Sequence, residues 1–547
     1  MKETASPRRF LAVVGLFLSL VLLLWGCGAV KPAVSPTAVH TDFDVIIVGG
    51  GLSGLSAGAH LASSGLKVLL CEQHDKVGGC ATRFDREPFV FDSALHQMAG
   101  GGPGKKDRGL YQLLKVAGVD RKVELYELPH FYRSLFPGVD IRLPGDWDGF
   151  KKALKAKWPE ESEGIEKFHR LCENTMNDIM EIKDLFRYTG FKKFTTMAMV
   201  PFRQPTFFKY MDKTLKDLMD DCFTDENLKA VVSQLWVYYG APVPDQTALL
   251  TLAATEGFLA DGVWHIKGTS QELSSAYAER IEELGGTVMT STPVTKIHMV
   301  NGMATGIDTE DGSRYTARYI VANTDPYQLA YKLIGKEHFP EKYIRKLEGM
   351  KPANSLCGVY LGLNIDLRKR GYDDTEIFIN PSTDTVAMYD AMMRGDFENG
   401  AVVVSIYSNF GDPVYAPPGK SLVTLTSYSK MDYWPEYGEA YDRVKGKMVD
   451  DLLAVASKAV PELADPNFIE HREGFTPRTL KRYTMNKGGV VYGFYMNPEQ
   501  IEKIPNTTPF PNVFIASNWT QAWHGVGSAQ INGWRAARLV LDREGRE

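Results

Sequence analysis

The sequence predicts an α/β protein: a doubly wound parallel sheet interleaved with a second domain of mixed α+β character. Three adjacent features carry that expectation. Residues 44–49 (DVIIVG) form a short β-branched apolar run suited to a strand buried on both faces. A glycine turn spaced Gly49-x-Gly51-x-x-Gly54 opens an Ala- and Leu-rich stretch, residues 52–64, with the character of a helix. A second apolar run, residues 66–71 (LKVLLC), ends on Glu72. Strand, helix and parallel strand make a Rossmann-like βαβ unit whose first turn suits a dinucleotide.

The chain has 547 residues, 44% of them hydrophobic and 24% charged, which is globular composition with material for a large core. A net charge of -5 supplies no basic field, so a nucleic-acid partner is not expected. The six cysteines are scattered, with no Cys-x-x-Cys and no His/Cys cluster, so neither a metal site nor a disulfide framework is expected.

Ahead of the first strand, Lys2, Arg8 and Arg9 precede an apolar run over residues 10–25. That pattern fits a signal segment or a short membrane anchor. Leu24-Trp25-Gly26-Cys27 resembles a bacterial lipoprotein box, and an uncleaved anchor is the equal alternative. Either ties the protein to a bacterial cell membrane, and the leading cations place its body on the extracytoplasmic side. Residues 31–40 (KPAVSPTAVH) read as a tether.

Beyond the βαβ unit, residues 111–255 are mostly helical in pattern, with Leu, Met and Phe at helical spacing. Residues 271–284 read as an amphipathic helix ended by Gly285-Gly286, and 288–299, 303–309 and 315–323 as short strands. Residues 351–500 mix both patterns, 512–516 give a last buried strand, and a final helix starts near Gly527. The expected organisation is therefore a signal or anchor at 1–30, a linker at 31–40, a cofactor domain from 41–110, 261–330 and 506–547, and a substrate domain from 111–260 and 331–505.

Each fingerprint glycine has a physical task. Gly49 permits the tight turn, Gly51 lets a pyrophosphate approach the backbone at the helix N-terminus, and Gly54 lets helix and strand pack closely. Glu72 ends the second strand, where a carboxylate can accept hydrogen bonds from ribose hydroxyls. Gly78-Gly79 with Thr82 marks a second glycine turn close to the dinucleotide, which favours FAD over NAD.

Residues 44–91 resemble the phytoene desaturase, carotenoid isomerase and retinol saturase group of FAD enzymes. Phe91-Asp92-Ser93-Ala94-Leu95-His96 is similar to that group's Phe-Asp-x-Gly-x-His, with Ala94 in place of glycine. The segments 267–273, 285–286, 293–297 and 321–326 follow the group's order. The resemblance implies a glutathione-reductase-type FAD-binding domain, with Val294 holding the adenine through its backbone. Residues 512–538 resemble the closing flavin-site segment, which implies flavin contacts from Asn518, Gly525 and Val526. Two departures stand out. Ser517-Asn518 replaces the usual Gly-Asp, and Ala522-Trp523-His524 stands where Pro-Gly-Gly is common.

A flavin exchanges hydride with a substrate carbon, and an acid or base handles the neighbouring proton. His96 and His524 are the candidates, each also readable as a structural histidine, and Trp523 is expected to line the same site. Residues 186–208 interleave aromatics and Met with Arg187, Lys192, Lys193 and Arg203, suiting either a lipid surface or a solvated loop. Trp236–Tyr239 and Trp264-His265 read as pocket wall or core. The expected enzyme desaturates, saturates or isomerises a carbon-carbon double bond of an apolar isoprenoid or polyene, with a quinone as the candidate electron partner. Two alternatives stay open: an amine-oxidase-like or porphyrinogen-oxidase-like enzyme using oxygen, and a non-catalytic carrier of prenylated proteins.

Overall fold

In the computed structural model, which describes residues 42–100, 102, 109–182, 190–500, 503–520 and 524–546, the first apolar run forms β1 (Phe43–Val48) and the helix behind its turn is α1 (Leu52–Ser63). The strand β2 (Val68–Cys71) pairs parallel with β1, Val45 opposite Val68 and Val48 opposite Cys71. Later segments return to this layer as α2 (Ser270–Glu283), β3 (Thr287–Met289), β4 (Val294–Val300), β5 (Met303–Thr309), β6 (Arg314–Ala322), β7 (Val513–Ile515) and α3 (Val526–Arg543). The sheet order is β3-β2-β1-β6-β5-β4, and β7 pairs with the second half of β6. Strands β3, β2, β1, β6 and β7 run parallel, with β5 and β4 appended antiparallel. This is the doubly wound sheet the sequence predicts.

Helix α1 is buried on every side from Leu52 to Ala62. Its residues are small because it is enclosed by the sheet, α2 and α3. Ser56 donates its hydroxyl to the Gln530 carbonyl of α3 at 2.9 Å, satisfying a polar group in that dry contact.

A second seven-stranded sheet has the order Ile469–Phe475, Ser355–Leu363, Ser421–Ser429, Val402–Ile406, Glu376–Ile379, His130–Phe136, Val139–Pro144. It is antiparallel except where Glu376–Ile379 runs beside His130–Phe136. The hairpin corrects the helical reading of residues 111–255. Val139–Pro144 alternates buried and exposed residues with period two, and the left-handed Gly138 after Pro137 makes the turn. Leu125–Glu127 is a further short strand, paired with Val263–Ile266, and most of the other described residues of that stretch are helical as expected, including Ser162–Ile182 and the largely buried Ala248–Asp261. Core clusters flank both sheets, among them one through Ile47, Leu55 and Val540 beside the first and one through Phe131, Leu249 and Tyr407 beside the second. Each such aliphatic side chain stabilises the fold by roughly 1.5–3 kcal/mol.

The apolar run at 10–25, the Cys27 motif, residues 183–189 with Arg187, and Trp523 lie outside the described residues, as do the side chains of Lys192 and Lys193. Among the described residues no helix is long and apolar enough to cross a membrane.

Candidate active site

A cavity of about 1880 Å³ opens where β1, β2, β6 and β7 end, and it runs on to the face of the second sheet at Tyr360, Val403 and Thr424. Single-ligand pockets usually hold ~300–1,000 Å³, so this one has room for a dinucleotide and a second molecule. Its position at the carboxyl ends of parallel strands is where such sheets bind ligands.

Gly49, Gly51, Glu72, Gly78, Gly79, Thr82 and Val294 line one end. Gly49 has φ 101°, and a Cβ there would come within 2.7 Å of the Asn323 carbonyl oxygen. Gly54 does not face the cavity. A Cβ on it would meet the Gly49 carbonyl at 2.3 Å, so its task is the close approach of helix and turn. Helix α1 starts at Gly51 with no side-chain cap and no acidic residue in its first turn, which leaves its N–H groups to an anion. Glu72 is oriented by two backbone donors, Gly50 N–H at 2.7 Å and His74 N–H at 2.9 Å. Gly78 N–H donates to the Gly50 carbonyl at 2.7 Å, tying the two glycine turns together. Thr82 donates to Gln271 at 2.6 Å, so its hydroxyl braces the second turn against α2. The Thr292 N–H donates to the Glu72 carbonyl at 2.8 Å, which brings Val294 beside that end.

Asn518, His524, Gly525 and Val526 line the other end. Helix α3 begins at Gly525, again with no side-chain cap and no acidic first turn. The Asn518 Oδ1 is buried and has no hydrogen-bond partner among the described residues, a cost of about 1–3 kcal/mol that a bound donor would relieve. Two bare helix ends, a glycine cradle and an unpartnered acceptor fit a dinucleotide cofactor with a polar middle. Asn323, in the 321–326 segment, donates its amide to the Ala516 carbonyl at 2.6 Å, and its Oδ1 lies 2.6 Å from the position of a Cβ on Gly51.

His524 sits between the rings of Tyr492 at 4.7 Å and Tyr239 at 5.6 Å. Both ring nitrogens are buried outside any well-formed hydrogen bond. Burial, reinforced by the charge of Lys503 and opposed by the Tyr238 carbonyl, pushes its pKa down to about 3. Lys503 is itself pushed down to about 7 by burial.

His96 is reached by the segment after Phe89–Asp92, and that segment is pinned residue by residue. Asp92 accepts from Ser270 N–H and hydroxyl, each at 2.7 Å, and burial raises its pKa to about 6 against those bonds. Tyr360 donates to the Ser93 carbonyl at 2.7 Å, Tyr407 to the Leu95 carbonyl at 2.9 Å, and His265 Nδ1 to the His96 carbonyl at 2.6 Å. The other nitrogen of His265 meets Tyr415 at 2.5 Å, and burial holds its pKa near 3. His265 is thus structural, a neutral brace for His96. Of the aromatics, Trp236 is core, whereas Tyr238 and Tyr239 face the cavity.

The His96 Nδ1 lies 3.1 Å from Glu376 Oε1, and the Ser405 hydroxyl is 2.9 Å from both. Glu376 is 1% exposed. Burial works against a charged His96, but the Glu376 charge and hydrogen bond, with Asp92 beyond, leave its pKa raised. The sequence reading had not singled out Glu376 or Ser405. The available signal was a glutamate opening the otherwise apolar strand EIFI.

The chain belongs to the flavin-containing amine oxidoreductase family, whose profile matches residues 52–541. It is an FAD-dependent oxidoreductase. Its curated relatives fall in the group the motifs resemble. An all-trans-retinol 13,14-reductase from Danio rerio is 24% identical over 94% of this chain and 88% of the relative. A chloroplastic prolycopene isomerase 1 from an Oncidium hybrid cultivar is 24% identical over 91% and 84%. A 4,4'-diaponeurosporene oxygenase from Staphylococcus haemolyticus is 24% identical over 91% and 96%. Among solved structures, cyclohexylamine oxidase from Brevibacterium oxydans superposes with TM-score 0.57 at 17% identity, covering 92% of this chain and all of that one. A Rab GDI from Plasmodium falciparum shares the fold at TM-score 0.51 and 12% identity, over 93% and 99%.

Proposed function

We infer that this enzyme desaturates, saturates or isomerises a carbon-carbon double bond in a retinoid- or carotenoid-like polyene. The observation that carries the reading is the cavity itself, whose lining joins His96 to the apolar side chains of Leu250, Ala253, Phe258, Met176 and Ile179. The three relatives named above supply the substrate class. Segments 41–110, 261–330 and 506–547 form the cofactor half and the intervening segments the substrate half. FAD bound there supplies hydride exchange with a substrate carbon. The protein's own residues seat an apolar chain, keep water from it, and hold a proton on the His96 ring. His524, with Tyr239 and Tyr492, serves as an aromatic wall.

The reading includes a membrane-bound body, on the strength of the N-terminal apolar run and of the cavity mouth. Val116 and Met180 line the cavity yet are exposed, and Phe202 is 78% exposed. Gln204 donates to Glu181 at 2.8 Å and Phe207 N–H to Asp178 at 2.8 Å, seating the Phe202–Phe208 stretch against the same helix end as Met180. A bilayer touching this rim would pass an apolar substrate straight inside.

The test is to reconstitute the full chain with FAD and offer all-trans-retinol and prolycopene, with a reductant or a quinone, following products by chromatography. Failure to change either, together with peroxide release on primary amines, would overturn this reading in favour of amine oxidation. Flotation with anionic liposomes tests the rim, and Phe202→Asp should weaken it.

A further inference from the structure

We propose that Glu376, seconded by Ser405, is a positioning residue that keeps a transferable proton on the cavity-facing nitrogen of His96, so that this site gives a proton to its polyene. The inference deepens the polyene reading and rests on it for the identity of the acceptor.

Hydrogen-bond arithmetic fixes which nitrogen titrates. A carboxylate only accepts, so the 3.1 Å contact between Nδ1 and Glu376 Oε1 requires Nδ1 to carry hydrogen. The Ser405 hydroxyl has one proton and gives it to Oε1, so its oxygen is free to accept from the same Nδ1–H. Nδ1 is thus protonated in both charge states of the ring. The proton that comes and goes is on Nε2, and the ring lines the cavity.

The groups facing His96 favour the charged form. Glu376 lies behind it on the second sheet and Asp92 on its own segment. His265 beneath it is held neutral, so it adds no positive charge. The rings of Tyr238 and Tyr407 stand edge-on at 6.1 and 6.0 Å, both with pKa far above neutrality and therefore uncharged. A carboxylate 1% exposed and paired with one imidazole makes the imidazolium its natural counter-ion.

The chemistry balances. In saturation, FAD bound in its reduced form would supply hydride to one carbon of the double bond, and His96 gives its Nε2 proton to the neighbouring carbon, leaving neutral imidazole. In isomerisation the polyene takes that proton and returns it after rotation, with no net electron transfer.

The decisive measurement is the pH dependence of diethyl pyrocarbonate modification, which needs neutral imidazole. It is read at His96 by peptide mass spectrometry on the flavin-loaded full chain, with the exposed His338 as internal reference. His96 should become reactive only at higher pH than His338. Glu376→Gln should lower its midpoint by about tenfold or more in proton affinity, Ser405→Ala by less, and Glu376→Asp should recover part of the loss, with His338 unmoved throughout. An unshifted midpoint in Glu376→Gln overturns the proposal. So does a Glu376→Gln enzyme that converts all-trans-retinol with the basic limb of its pH profile unmoved. If the midpoint shifts but wild type leaves retinol and prolycopene untouched, the substrate reading fails and the charge-holding role stands.

Discussion

His96 and His524 line the same cavity, yet one has a buried carboxylate at 3.1 Å and the other sits beside the rings of Tyr239 and Tyr492 with the charge of Lys503 acting on it. Both are partly buried, and desolvation alone drives an imidazole toward neutrality. It does so at His524, whose pKa falls to about 3, and is overridden at His96 by Glu376. The difference is the Glu376 carboxylate, which stands beside His96 at 3.1 Å. A histidine's reach into the cavity says little about its task until its far nitrogen is accounted for.

The largest break in that comparison should come from His96→Gln. It is expected to lower kcat by about 10²–10⁴-fold, the range for a lost general acid or base, with the bound-flavin spectrum intact. His524→Gln should lower kcat far less while disturbing the flavin spectrum. Equal losses in kinetic assays would erase the distinction. Next in size, Glu376→Ala should destabilise the protein by about 3 kcal/mol in urea titration, because a buried partner is left uncompensated.

Their pH signatures should be opposite. The raised pKa of His96 gives stability that is full below the ordinary histidine value and is lost as pH rises through the raised one. His524 is depressed, so stability falls as pH drops below about 6.5 toward about 3, where only the unfolded chain takes up the proton. Melting temperatures of His524→Phe should show a flatter acid limb, and those of Glu376→Gln a weaker basic-side loss. The smallest effect is expected at Asn518→Leu, which should weaken flavin binding by about 1 kcal/mol, read by equilibrium titration.

The cofactor end was legible because its information is local. Gly49, Gly51, Gly54 and Glu72 lie on one strand-turn-helix-strand, and their spacing reflects the path of the backbone. The proton end was legible only at His96, through a motif next to it. Glu376 and Ser405 meet that histidine across 280 and 309 residues of chain, and no spacing rule spans such distances. The hairpin at His130–Pro144 was overlooked for a different reason: its period-two strands sit among long helices whose pattern dominated the window, although Pro137-Gly138 marked the turn.

The two uncapped helix starts and the unpartnered Asn518 oxygen have a thermodynamic corollary. Groups without a partner among the described residues that a ligand would satisfy couple ligand to fold, so flavin at a hundred times its dissociation constant should add ~2.7 kcal/mol to the folding free energy. The melting point should then climb with the logarithm of free FAD, and a chain short of flavin should be the first to be cleared by proteolysis. Cofactor supply would thereby set how much of this protein persists, as well as how fast it works.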